Sequence, residues 1–316
     1  MMNRCHAMLA SASLFSACSS SVRQPPKERQ ALSLATGSKG GGFLLYGQAL
    51  SSVLANTHLQ ISALETQGTA ENINQLHDKK ISAALLVMGP TWDAWNGQAQ
   101  WAGKPVRSMR ALFPMYETPF HVATRADSGL VNLDQLKGKK VAVGPVRGTA
   151  EGFFRGLMES TGLTAQLVNG SPSEHAQQLA RGEVDAIWFG AGLPVPAFVD
   201  AAKLAAIRVF GLSGVERAAF VKRFPYFAPA QIPAGTYVGQ TAAVDSVAVW
   251  NFAAMHQDAP VESAYWFTRL TLVNTRALVE KYPAASATTA ANLAANTFLP
   301  LHDGAARYYK ERGLKI

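Results

Sequence analysis

Gly37-Ser38-Lys39-Gly40-Gly41-Gly42-Phe43 follows a short apolar stretch, residues 31–35, and precedes an apolar-periodic segment, residues 44–54. A strand that turns through glycines into a helix is the repeating unit of an α/β fold. It aims free backbone N–H groups beyond the strand's end, a geometry that suits an anion. The loop has neither the Gly-x-x-x-x-Gly-Lys-Ser/Thr spacing of a Walker loop nor the Gly-x-Gly-x-x-Gly of a dinucleotide fold, so phosphate binding is not implied. Taken alone, the glycines serve a tight turn as readily as a ligand. A second loop of the same kind, Pro145-Val146-Arg147-Gly148-Thr149-Ala150-Glu151, shifts the balance toward a ligand loop.

Outward from these loops the chain alternates short apolar strands with amphipathic helices, which predicts α/β layers with largely parallel sheets. Strands are expected near 31–35, 59–66, 83–88 and 110–115, with helices over 44–54 and 70–77. After a strand at 120–125 the plan starts afresh: a short helix and turn at 134–140, a strand at 141–144, a helix at 152–161, a strand at 165–168, a helix at 173–181 and a strand at 186–189. The halves share an order of elements but no residue-level repeat. Two α/β lobes with facing glycine loops describe a hinged ligand clamp, in which ligands bind beyond the carboxyl ends of the strands. The lobes are read as residues 31–123 with 242–316, and residues 124–241. A strand at 244–249 would make the second crossing, beside 120–125.

The first residues read as an export signal, with Arg4 ahead of the apolar run 7–17. Leu14-Phe15-Ser16-Ala17-Cys18 looks like a lipobox, which would place a lipid on Cys18; simple cleavage near Ala17 is the alternative. Residues 19–30 read as a flexible tether to a membrane surface. Both cysteines, Cys5 and Cys18, fall in the signal, so the mature domain has no disulfide and no cysteine chemistry. No later stretch holds 18 uninterrupted apolar residues. The formal charge of +8 is scattered along the chain without a basic stripe, which argues against nucleic acid and for a mild field favouring an anionic solute or lipid surface.

The chain resembles the extracytoplasmic solute receptors of TRAP transporters, of the TAXI type, from about residue 32 to 313. The likeness is carried by Thr36-Gly37-Ser38-Lys39-Gly40-Gly41, Gly68-Thr69-Ala70-Glu71-Asn72, Leu136-Lys137-Gly138-Lys139 and Gly182-Glu183-Val184-Asp185-Ala186. It continues in Ile232-Pro233-Ala234-Gly235-Thr236-Tyr237-Val238-Gly239-Gln240 and in Pro300-Leu301-His302-Asp303-Gly304-Ala305-Ala306-Arg307-Tyr308-Tyr309. The resemblance implies a two-lobe periplasmic binding protein fold with a hinge and central cleft, no catalysis, no cofactor, and delivery of a small organic anion to the membrane permease subunits of a TRAP transporter. It places the ligand against Ser38, Lys39, Gly40, Gly41, Gly42 and Phe43, against Arg147, Gly148, Thr149 and Ala150, and against the segment Trp188, Phe189 and Gly190.

Two departures from the resemblance bear on the ligand. Relatives often carry a polar Gln-Ser-Asp run where this chain reads Val87-Met88-Gly89, and a Gly-Ser-Gly-Thr loop where it reads Arg147-Gly148-Thr149-Ala150. A lost acceptor and a gained guanidinium disfavour an ammonium group and favour a carboxylate or dicarboxylate held by a bidentate pair. Arg147 is therefore the expected anchor, against the bland reading of a surface arginine lying over its helix. Gly68, Thr69, Met88, Gly89 and Tyr116 complete the expected site; Trp188 and Phe189 sit at a strand's carboxyl end.

Rival readings are an enzyme on the same fold and a sensor reporting to a membrane signalling partner. Glu71, Glu151 and Asp93 are the acidic candidates for an enzyme, but Glu71 and Glu151 read as first-turn carboxylates favoured by the helix dipole. The histidines lack metal spacing, and neither Gly-x-Ser-x-Gly nor His-Glu-x-x-His occurs.

Overall fold

A computed structural model describes residues 24–314 and 316 of the chain. The residues read as an export signal, the expected lipidation site at Cys18 and the first part of the expected tether lie outside the described residues; residues 24–29 are exposed and carry no helix or strand.

The chain begins β1 (Gln30–Ala35), α1 (Gly42–Leu54), β2 (Leu59–Leu64), α2 (Thr69–His77), β3 (Ala83–Val87) and α3 (Met88–Asn96). The long β4 (Met109–Arg125) leads into β5 (Lys140–Ala142), α4 (Thr149–Thr161), β6 (Gln166–Val168), α5 (Pro172–Arg181) and β7 (Ala186–Gly190). Then follow α6 (Pro196–Leu204), β8 (Ile207–Phe210), α7 (Gly214–Arg223) and β9 (Ala228–Ile232). β10 (Val244–His256) returns, and α8 (Val261–Val273), α9 (Thr275–Lys281) and α10 (Asp303–Glu311) close the fold.

The strands run in the order β2-β1-β3-β10-β4-β7-β5-β6, with β8 also on β4 and β9 also on β10. β1 pairs in parallel with β2 and β3, and β5 in parallel with β6 and β7. These two parallel sets are the two repeats of the strand-loop-helix plan. They are joined by β4 and β10, which run antiparallel to each other, with Val247 opposite Phe120. The chain thus crosses twice between the halves. No helix among the described residues is long and apolar enough to span a membrane.

The strands expected separately at 110–115 and 120–125 are one element of 17 residues. Exposed Glu117 and the prolines at 114 and 119 break the apolar run, but pairing with β10 on both sides of a register shift between Pro114 and Glu117 makes it one strand. α1 and α4 start two to three residues earlier than the periodicity predicts, which makes Gly41 and Gly148 their N-caps.

Apolar burial explains the continuous runs. Ala84 and Leu86 of β3 pack on one face of the sheet and Ala83 and Leu85 on the other, so every β3 residue is buried. A strand covered by helices on both faces has no polar side to show. One buried polar group holds the first half together. Asn72 Nδ2 donates to the carbonyls of Thr36 (2.7 Å) and Leu85 (2.9 Å), and its Oδ1 accepts from Thr66 Oγ1 (2.7 Å). Asn72→Ala removes all three bonds, and at 1–3 kcal/mol for a buried group left unpaired the expected loss is about 3 kcal/mol, read from the urea midpoint.

Candidate functional site

Three helices begin at one place. The first turns of α1, α2 and α4 line a single cavity of about 70 Å³ in the cleft, through Gly42 and Phe43, Thr69, and Thr149 and Ala150. Their N-caps are Gly41, Gly68 and Gly148, and none provides a side-chain cap. The first N–H groups of a helix have no intrahelical partner, so each start leaves donors and a partial positive charge turned to the cavity. By contrast α5, outside the cavity, is closed by a capping box between Ser171 and Glu174.

The side chains add hydroxyls with a fixed polarity. Thr69 Oγ1 accepts the backbone N–H of Val87 (3.0 Å), and Thr118 Oγ1 accepts from Asn251 Nδ2 (2.7 Å). Because both partners only donate, each threonine's own hydrogen is left for the cavity. Ser38, Gln67, Thr149 and Tyr116 are the other polar residues of the lining; Phe43, Phe120 and Phe189 form apolar walls. The Tyr116 hydroxyl, beside that of Tyr282, is buried without a well-formed hydrogen bond, and burial pushes its pKa upward, so it stays protonated. Among the described residues, none that lines this cavity carries a formal charge. The arrangement offers hydrogen-bond donors from backbone and hydroxyls, with no carboxylate to balance a cation.

The structure brings together Ser38, Gly41, Gly42, Phe43, Gly68, Thr69, Tyr116, Thr149, Ala150 and Phe189 around the cavity. Other expected residues lie elsewhere. Arg147 lines an outer groove with Arg155, Glu159 and Arg223, takes a left-handed φ of 59°, and is exposed. Lys39 is exposed, its N–H donating to Glu65 Oε1 (3.1 Å). Trp188 is fully buried in the core against Phe120 and Phe154, because its strand position faces the helices rather than the cleft. Met88 is buried on the far side of Val87 in a groove with Trp92, and Gly89 backs onto the Tyr226 ring. Gly40 abuts Ser173 of the opposite half, and Gly148 closes a turn on the Pro145 carbonyl (2.9 Å). Glu71 and Glu151 accept the backbone N–H groups of Gln67 (2.7 Å) and Arg147 (2.6 Å), so both carboxylates are used in closing the loops and neither lines the cavity.

Sequence reasoning passed over Gln67, Thr118, Phe120 and Ala191 as ligand contacts, while Gly190, expected beside Phe189, does line the cavity. A signal for two of them existed. Tyr116, Thr118 and Phe120 alternate along one strand, and residues two apart share a face; reading two strands instead of one hid that alternation.

A model of the NMT1-like family matches residues 34–313. The chain belongs to the NMT1-like family. Among solved structures, this NMT1-like chain is similar to the periplasmic binding protein BugD, with a TM-score of 0.58 and 12% identity over 91% of this chain and 94% of that one. An ancestral arginine-binding protein bound to arginine superposes with a TM-score of 0.51 at 13% identity, covering 81% and 98% of the two chains. The GluR0 ligand-binding core from Nostoc punctiforme in complex with (L)-glutamate does so with 0.51 at 14%, covering 80% and 98%. At such identities the likeness is one of fold: this NMT1-like chain has the two-lobe periplasmic binding protein architecture.

Proposed function

We propose that this NMT1-like protein is an extracytoplasmic solute receptor that closes its two lobes on a small organic anion and delivers it to a membrane transporter. The lobes are residues 31–123 with 242–316, and residues 124–241, hinged at β4 and β10. The single observation that carries the reading is the convergence of three uncapped helix starts on one cleft cavity whose described lining holds no charged side chain. Backbone N–H groups at helix starts hold an oxyanion without a cationic side chain. A carboxylate or dicarboxylate lacking an amine suits the cavity, since an ammonium group would be buried there with no carboxylate partner. The motif resemblance favours a TRAP-type permease as the receiving partner, and the signal with its Cys18 lipobox favours a lipid-anchored, periplasmic placement.

Thermal unfolding of the mature domain against mono- and dicarboxylates, amino acids and neutral sugars tests this. A ligand at a hundred times its Kd adds about 2.7 kcal/mol, a readily measured shift. An acid is expected to give it, and Arg147→Ala is expected to keep it, because the guanidinium lies in the outer groove. A shift with a neutral sugar and none with any acid would sink the anion reading.

A further inference from the structure

We infer that Asn251 is a positioning residue for the ligand: it fixes the Thr118 hydroxyl as a donor into the cavity and ties that hydroxyl to the strand bulge where the two halves of the sheet meet. The inference rests on the receptor reading above and names a contact within the same site.

Asn251 lies on β10, fully buried, where the pairing with β4 slips. Trp250 faces Glu117 and Phe252 faces Pro114, so Asn251 alone stands opposite Met115 and Tyr116. Two residues opposite one is a bulge, which bends the strand and interrupts its ladder. The Asn251 side chain repairs the interruption. Its Nδ2 donates to the Tyr116 carbonyl and to Thr118 Oγ1, both at 2.7 Å. A carbonyl only accepts, so the nitrogen must be the atom that faces Tyr116, and the amide cannot be turned over.

The consequence falls on Thr118. With a lone pair of Oγ1 engaged by an N–H, the one hydrogen of the hydroxyl points away from Asn251, and Thr118 lines the cavity. Its methyl is held as well. A Cβ on Gly190 would come within 2.7 Å of Thr118 Cγ2, so the side chain sits against bare backbone on that side. Among the described residues Asn251 Oδ1 is buried with no hydrogen-bond partner, which leaves the two donations to β4 as the polar contacts seen to hold this side chain. On its other edge Asn251 is registered with Val87, whose N–H orients Thr69 in the same way. Thr69 and Thr118 are therefore both turned toward the ligand from one crossing of three strands.

The test is a double-mutant cycle on affinity, using succinate, 2-oxoglutarate, benzoate and methanesulfonate as probes and following the one that binds the full-length wild-type chain best by calorimetry. Thr118→Val, close in shape, is expected to weaken binding by about 10- to 100-fold, the cost of one hydrogen bond to a charged group, while Thr118→Ser keeps most of it. Asn251→Ala is expected to cost a similar factor alone and almost nothing further in the Thr118→Val background. Asn251→Ser replaces it if alanine does not fold, with folding of every variant checked by urea unfolding without ligand. Wild-type affinity in Thr118→Val, or losses from the two sites that multiply, would overturn the inference while leaving the receptor reading standing. Failure of every acid to bind the wild-type chain would remove the receptor reading, and this inference with it.

Discussion

Lowering the pH from 7 to 5 is expected to cost this protein about 2 kcal/mol of stability through His121 alone, at about 1.4 kcal/mol per pH unit for one proton. His121 is fully buried on β4. The Tyr237 hydroxyl accepts the Val195 N–H (3.0 Å), so its own hydrogen goes to His121 Nε2 (2.8 Å). The imidazole proton then sits on Nδ1, toward the Pro119 carbonyl (3.4 Å), and a further proton has nowhere to go. Burial lowers the pKa from 6.5 to about 3, with the Pro119 carbonyl opposing in part. Below 6.5 the unfolded chain takes up a proton that the folded one refuses. The stabilisation is therefore complete above pH 6.5 and is lost progressively as pH falls toward 3.

His58, His175, His256 and His302 are shifted the same way by burial and add slopes of the same sign. The measurement that isolates His121 is the difference between urea-unfolding profiles of the wild-type chain and His121→Asn from pH 7 to 5. Profiles that run parallel across that range would show that His121 is not held neutral.

Gly40→Ala is expected to lower ligand affinity by about 100-fold, the factor that follows when the closed form falls to about one part in a hundred. Gly40 has a φ of 77°, and a Cβ there would overlap Ser173 Oγ and lie 2.8 Å from the Ser173 backbone nitrogen. Ser173 belongs to α5, on the other side of the cleft, and a backbone atom cannot step aside as a side chain can. The substitution therefore holds the cleft apart without touching the cavity lining.

The left-handed φ itself costs about 1–2 kcal/mol with any Cβ, and a control separates the two effects. Gly129 has a φ of 73° and nothing within 4 Å of its Cβ position. Gly129→Ala is expected to lose comparable stability and no affinity. Equal affinities in the two variants, measured by calorimetry against the best-binding acid, would show that contact at Gly40 does not govern closure.

Much of the fold was legible because burial on both faces of a parallel strand leaves a mark in the residues themselves. The runs at 31–35, 83–88, 141–144 and 186–189 read as strands, and the glycine loops after the first and third read as leading into helices. The loops at Gly37–Phe43 and Pro145–Glu151 followed from that, and so did the meeting of Ser38, Gly41, Gly42, Thr149 and Ala150 at one cavity. What stayed hidden depends on contacts between distant residues. β4 is continuous through Glu117 and Pro119 because β10, some 130 residues later, pairs with it, so Thr118 and Phe120 could be placed beside Tyr116 only once that pairing was seen.

The largest change concerns charge. Arg147 is the residue whose chemistry most invites a carboxylate, yet the sign of its φ decides the side on which its side chain leaves the loop, and a single residue type does not encode that sign. Likewise Trp188 and Phe189 are neighbours on one strand, and strand alternation puts the first in the core and the second at the cavity. The amino-acid order by itself determined a repeated α/β plan with glycine loops at the strand ends. The tertiary structure decided that the cleft cavity is lined by helix starts and oriented hydroxyls rather than a guanidinium, because polarity in a buried site is set by which partners each group has already met.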